Sequence, residues 1–143
     1  MKNFLLRICK KIDDYEQSKI KQNINDEILF ISFRCDGVYL NGSKLIDKRA
    51  KLQIAILKIL IENHLIGNLH SIHTGLNTIQ ISSILEKQGF LLFDLEKYVR
   101  QSIHRIKKSV SDKYGKKISE NFIQSSKISG QYKLSKNVVL ICK

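Results

Sequence analysis

Tyr98-Val-Arg-Gln-Ser-Ile-His-Arg-Ile-Lys-Lys-Ser-Val110 is the stretch on which the fold turns. Together with the residues just before it, it sets Leu95, Val99, Ile103, Ile106 and Val110 along one stripe of an α-helix. With that seam turned inward, helical geometry leaves Lys97, Arg100, Gln101, His104, Arg105, Lys107 and Lys108 outside. Arg100, His104 and Lys108 make one row, and Gln101 and Arg105 the row beside it. The spacing predicts a helix over 95–113, with Asp94 as its cap and Gly115 as its stop. Its acids, Asp94 and Glu96, stand at the N-terminal end. There they suit the helix dipole and leave the middle of the basic face without negative charge.

Downstream comes Phe122-Ile-Gln-Ser-Ser-Lys-Ile-Ser-Gly-Gln-Tyr-Lys-Leu-Ser135. It reads as two strands, Phe122–Ser126 and Tyr132–Ser135, with Ser129-Gly130 in the turn and Lys127, Gln131 and Lys133 near the tip. Val138–Cys142 reads as a last strand closing the sheet.

Upstream, Glu27–Phe33 is a short apolar and β-branched run, expected as a strand. Asp36-Gly37 marks a turn. Val38–Leu40 and Ser43–Ile46 flank Asn41-Gly42, whose two residues tolerate the positive φ values of a type I′ hairpin turn. Asp47 is the expected cap of a strongly apolar helix over 48–64, with Leu52, Ala55, Ile56, Ile59 and Leu60 as its core stripe. Asn77 is the expected cap of a second helix over 78–88, with Ile81, Ile84 and Leu85 inward and Gly89 as the stop. At the start of the chain, Phe4, Ile8, Ile12 and Tyr15 line one face of an amphipathic helix. The organisation is therefore an N-terminal helix over 1–25, which packs internally or dimerises, and one α+β domain over 26–143.

Charge bounds the function. The chain of 143 residues carries a net charge of +12, which favours an anionic partner. Residues 91–143 hold 12 basic and 4 acidic side chains, so two thirds of the surplus lies in the last third of the chain, with the basic helix and the hairpin. Arg and Lys donate to guanine O6 and N7, Gln pairs with adenine, and flanking cations neutralise phosphates. Chemistry of other kinds finds little support. Cys9, Cys35 and Cys142 fit no disulfide or zinc spacing. His64, His70 and His73 have no Cys or carboxylate at ligand spacing. There is no phosphate-binding glycine loop and no nucleophile or metalloprotease motif. No cofactor, no metal and no enzymatic activity are expected. With neither a signal peptide nor a spanning run of apolar residues, a cytoplasmic protein that does not enter a membrane is expected.

From Val38 to Ser135 the chain resembles the OmpR/PhoB-type winged helix-turn-helix DNA-binding domain. Ile103-His-Arg-Ile-Lys-Lys-Ser-Val110 is similar to that family's recognition helix. Ile123-Gln-Ser-Ser-Lys-Ile-Ser-Gly-Gln-Tyr-Lys-Leu-Ser135 is similar to its wing, and Gly42–Leu60 to its entry into the first helix. The resemblance implies N-terminal strands, a three-helix core and a C-terminal hairpin wing. It implies a transcription regulator that reads double-stranded DNA with the third helix in the major groove and the wing at the minor groove. By position, Arg100, Gln101 and His104 would face bases, and Arg105, Lys107 and Lys108 would hold phosphates. Lys127 stands where the family has its wing arginine, and Gln131 is inserted between the wing glycine and Tyr132. RNA polymerase or another transcription factor, and a second copy of the chain in a homodimer, are the further partners expected. The alternative is a winged-helix protein-interaction module, an adaptor or effector whose basic face binds an acidic protein.

Overall fold

The structure, a computed structural model, describes residues 28–71, 74–126 and 130–141. The expected N-terminal helix over 1–25 lies outside the described residues. The fold is α+β, with four helices and two small sheets among the described residues.

The first sheet starts as a meander. Strands β1 (Leu29–Arg34), β2 (Gly37–Leu40) and β3 (Ser43–Asp47) pair antiparallel, with Ile31 opposite Leu40 and Val38 opposite both Phe33 and Ile46. The β2–β3 turn is set by Asn41 and Gly42, at φ 50° and 82°, the two positive values that a type I′ turn requires. Asn41 also extends the pairing to β1. Its side-chain oxygen accepts from the Phe30 amide at 2.8 Å, and its own amide donates to the Phe30 carbonyl. Gly37 has no substitute: a Cβ there would lie 2.0 Å from the Ile46 carbonyl oxygen.

Helix α1 (Lys51–His70) corrects the sequence reading at both ends. Asp47 does not cap it. That residue ends β3, and its carboxylate is taken by Lys44 and Arg49, each at 2.9 Å, so the helix starts at Ala50 with no side-chain cap. The helix also runs six residues past His64. The buried His64 ring bonds the Val138 carbonyl through Nε2 at 2.9 Å, which satisfies a polar group inside the core and lets the helix continue. The expectation that the chain holds no spanning run is also corrected: by length and hydropathy α1 is long and apolar enough to cross a membrane, and here it packs against α2, α3 and β6.

Helix α2 (Thr78–Lys87) begins with a reciprocal capping box. The Gln80 amide donates to Asn77 Oδ1 at 2.8 Å, and the Asn77 amide donates to Gln80 Oε1 at 2.9 Å. It ends in a Schellman turn: the Phe90 amide reaches the Leu85 carbonyl, the Gly89 amide reaches Glu86, and Gly89 sits at φ 99°.

Helix α3 (Leu95–Tyr114) buries the expected seam of Leu95, Val99, Ile103, Ile106 and Val110. Asp94 does hold the N-cap position, but its side chain makes no capping bond, because its backbone is left-handed (φ 56°); its carbonyl alone starts the helix. After Gly115 comes α4 (Lys116–Phe122), a short helix the sequence pattern did not reveal. It is tied back to α3 by the Ser119 hydroxyl, which donates to the Lys107 carbonyl.

The second sheet has the order β4-β6-β5, where β4 is Leu76–Asn77, β5 is Ile123–Ser125 and β6 is Gln131–Leu134. β5 and β6 form the expected C-terminal hairpin, and β4 joins its β6 edge with Leu76 opposite Tyr132. The last strand, β7 (Val138–Leu140), closes the other sheet. It lies parallel to β1, with Leu29 opposite Val138, and gives the order β3-β2-β1-β7. One core joins these parts: Ile31 and Leu40 from the first sheet, Ile56 and Leu60 from α1, Ile81 and Leu85 from α2, Ile103 and Ile106 from α3, and Phe122 and Ile123 from the C-terminal segment.

Candidate nucleic-acid interface

One face of α3 is bare. Its opposite face packs on α1, α2, α4 and β3, which fixes the helix rotation and therefore which side chains point to solvent. Lys97, Arg100, Gln101, His104, Arg105 and Lys108 are all exposed. Lys107 is half-buried, on the flank toward α4. Among the described residues no ion pair involves α3; the ion pairs gather at Asp36, Lys44, Asp47 and Arg49. The cations of this face therefore retain their charge for an anionic partner.

The hairpin residues fall differently. Gln131 is the first residue of β6, opposite Asn77 of β4, and its carbonyl accepts from the Ser126 amide. The inserted glutamine is thus part of the sheet ladder. Lys133 pairs with Gln124, and both Gln131 and Lys133 are half-buried. β6 packs on α1. The structure thus groups the α3 side chains on one surface and places Gln131 and Lys133 in a sheet that leans on another helix. Lys127 lies outside the described residues.

Two clefts border α1 near its N-terminal end, and neither was visible in the sequence. One, of about 410 Å³, lies between that end and α3; Arg49, Lys51, Tyr98, Gln101 and Arg105 are among its lining residues. The Gln101–Arg105 row forms one of its walls. The other, of about 380 Å³, runs along α1 beside the β1–β2 turn and includes Arg34, the exposed thiol of Cys35, Lys48, Lys51 and Lys58. Both assemble residues from segments far apart in the chain, so only the run Lys48-Arg-Ala-Lys51 could have hinted at them.

The acidic cluster beside these clefts tunes which cations are available. Hydrogen bonds from Lys44 and then Arg49 hold the Asp47 carboxylate far below its ordinary range, and the same contacts raise Lys44 and Arg49. The Tyr39 hydroxyl, which donates to Asp36 at 2.5 Å, lowers that carboxylate and is itself raised. Arg49 is thereby neutralised by Asp47, while Lys48 and Lys51 on either side of it take part in no ion pair among the described residues. Among the described residues no group of three His, Cys, Asp or Glu side chains could hold a metal ion.

Comparison with family models, with curated proteins and with solved structures gave no match to this chain. The functional reading therefore rests on the chain's own geometry.

Proposed function

We propose that this chain is a winged helix-turn-helix protein of the OmpR/PhoB type that binds double-stranded DNA as a sequence-specific transcription regulator. The observation that carries the reading is the bare face of α3: a helix seated by one apolar seam, with five exposed cations or donors in two adjacent rows and no ion pair to them among the described residues. In this reading α2 and α3 are the helix-turn-helix pair, and α3 enters the major groove. Arg100, Gln101 and His104 contact base edges, and Arg105, Lys107 and Lys108 hold phosphates. The β5–β6 hairpin is the wing, braced by β4 between α1 and α2, an arrangement that supports the assignment. Regulation proceeds by groove docking and recruitment, without catalysis.

The test is selection from random duplexes, followed by titration of the selected site against scrambled sequence at rising salt. The expected result is a preferred sequence and steep loss of binding with salt, because each neutralised phosphate releases counterions. Absence of duplex binding at low salt would overturn the reading.

A second reading has one observation in its favour. Leu91 and Phe93, in the α2–α3 connection, are 84% and 96% exposed, an apolar tip beside a basic face. Such a tip suits contact with another protein. Tight binding of an acidic protein partner with no affinity for duplex would select this reading.

A further inference from the structure

The cleft along α1 carries charge that the reading of α3 does not use. Arg34, Lys48, Lys51 and Lys58 line it, with Glu62 as the single carboxylate at its far end. None of the four cations takes part in an ion pair among the described residues. Two of them are held by aromatic rings. The Arg34 guanidinium lies 4.0 Å from the Tyr39 ring centroid, and the Lys58 ammonium lies 5.6 Å from that of Phe33. A ring face anchors the cation without cancelling its charge, so less freedom is lost when an anion arrives.

The layout is extended. Lys51 and Lys58 are two helical turns apart, about 10 Å along the axis. That spacing spans the axial rise of about three phosphates on one strand. A compact phosphate would instead need donors that converge on one point. Lys51 also lines the neighbouring cleft, which Gln101 and Arg105 of α3 enter, so the two basic surfaces are continuous around the start of α1.

We infer that the α1 cleft is a second phosphate-binding surface, which takes the sugar–phosphate backbone of the same duplex where it runs past α3. This rests on the DNA reading of α3 and extends the footprint toward the first sheet. Lys48, Lys51 and Lys58 supply affinity and salt dependence there, and base selection stays with α3.

The experiment compares the full chain with the triple variant Lys48→Ala, Lys51→Ala, Lys58→Ala on two duplexes carrying the same selected site. One is about 10 base pairs long, a single helical turn, and the other about 30. Thermal unfolding of both proteins confirms that the variant is folded, and Arg100→Ala serves as the α3 control. The wild type should bind the long duplex more tightly, with a steeper salt dependence. The triple variant should lose that advantage, with a logarithmic salt slope shallower by about 2 to 3, and bind the short duplex as before. Arg100→Ala should weaken both lengths. Equal loss on both lengths, or a triple variant that keeps the advantage of the long duplex, would overturn the inference and leave the α3 reading standing. Inorganic pyrophosphate is the remaining arm. Thermal protection of the wild type by pyrophosphate, abolished in the triple variant and without any effect of duplex length, would assign the cleft to a small phosphate ligand and overturn the inference. Failure of the wild type to bind either duplex would remove the DNA reading and this inference together.

Discussion

Helices α1 and α3 are both 20 residues long, yet they do opposite work. α1 buries Ile56, Leu57, Ile59, Leu60 and Ile61, an almost unbroken run, because α2, α3 and β6 cover it from several directions. α3 buries a single stripe and leaves the rest to solvent. A helix enclosed on several sides holds a fold together, and the side it leaves exposed, with Lys51 and Lys58, borders the α1 cleft. A helix seated by one seam is held just as firmly in rotation while keeping a whole face for a partner. The contrast teaches that the candidate interface depends on α1 for its position and on α3 for its chemistry.

If that division holds, the largest effect should come from α1. Leu60→Ala empties a fully buried site and should cost about 2–5 kcal/mol of stability in urea unfolding. A loss of about 0.5 kcal/mol or less, the range of surface changes, would break the contrast. His64→Ala should follow. It removes the partner of the Val138 carbonyl and should cost about 1–3 kcal/mol, with hydrogen exchange rising first at β1 and β7. In α3 the effect should move from stability to binding. Arg100→Ala should weaken the selected duplex by about 1–3 kcal/mol while leaving the melting temperature in place. Lys108→Ala should weaken all duplexes alike and lower the salt slope by about 1. Asn77→Ala, which removes one half of the α2 capping box, should cost about 1 kcal/mol. The smallest effect belongs to Asp47. Its carboxylate is held below the ordinary value of 3.8, so its contribution is complete above the unfolded-state range and fades as acid protonates it. Melting curves of Asp47→Asn and wild type should differ slightly near neutral pH, begin to approach each other only below about pH 4, and meet only in strong acid.

The difference between the helices also explains what the sequence disclosed. α3 was legible because a one-sided helix writes its rotation into its spacing, and Leu95 through Val110 carry it without interruption. The Asn41-Gly42 turn and the Asn77 cap were legible for a related reason: each is a local device whose residues are adjacent. α1 was read too short, since the helix carries on through the buried Gly67 and ends at Ser71, whose left-handed backbone its residue type does not announce. Asp47 was read as a cap because the type and position suit one, and the competing claim of Lys44 and Arg49 on its carboxylate is a matter of hairpin geometry. α4 is a single short segment anchored through Ser119, too brief for a periodic pattern. For the candidate interface, the α3 residues could be named in advance. The α1 cleft could not, because its walls come from β1, the β3–α1 connection and the helix itself.

The parallel pairing of β1 with β7 has a consequence for how this protein is made. The first described strand finds its outer neighbour in the last, so Leu29 must wait for Val138 to be synthesised before the first sheet can close. On the ribosome the β1–β3 meander and the helices can gather early, as sequence-local units do. Until β7 emerges, the edge of β1 that it covers stays open. The nascent chain therefore passes through a period in which that open edge is a site for mispairing, and the emergence of β7 ends it.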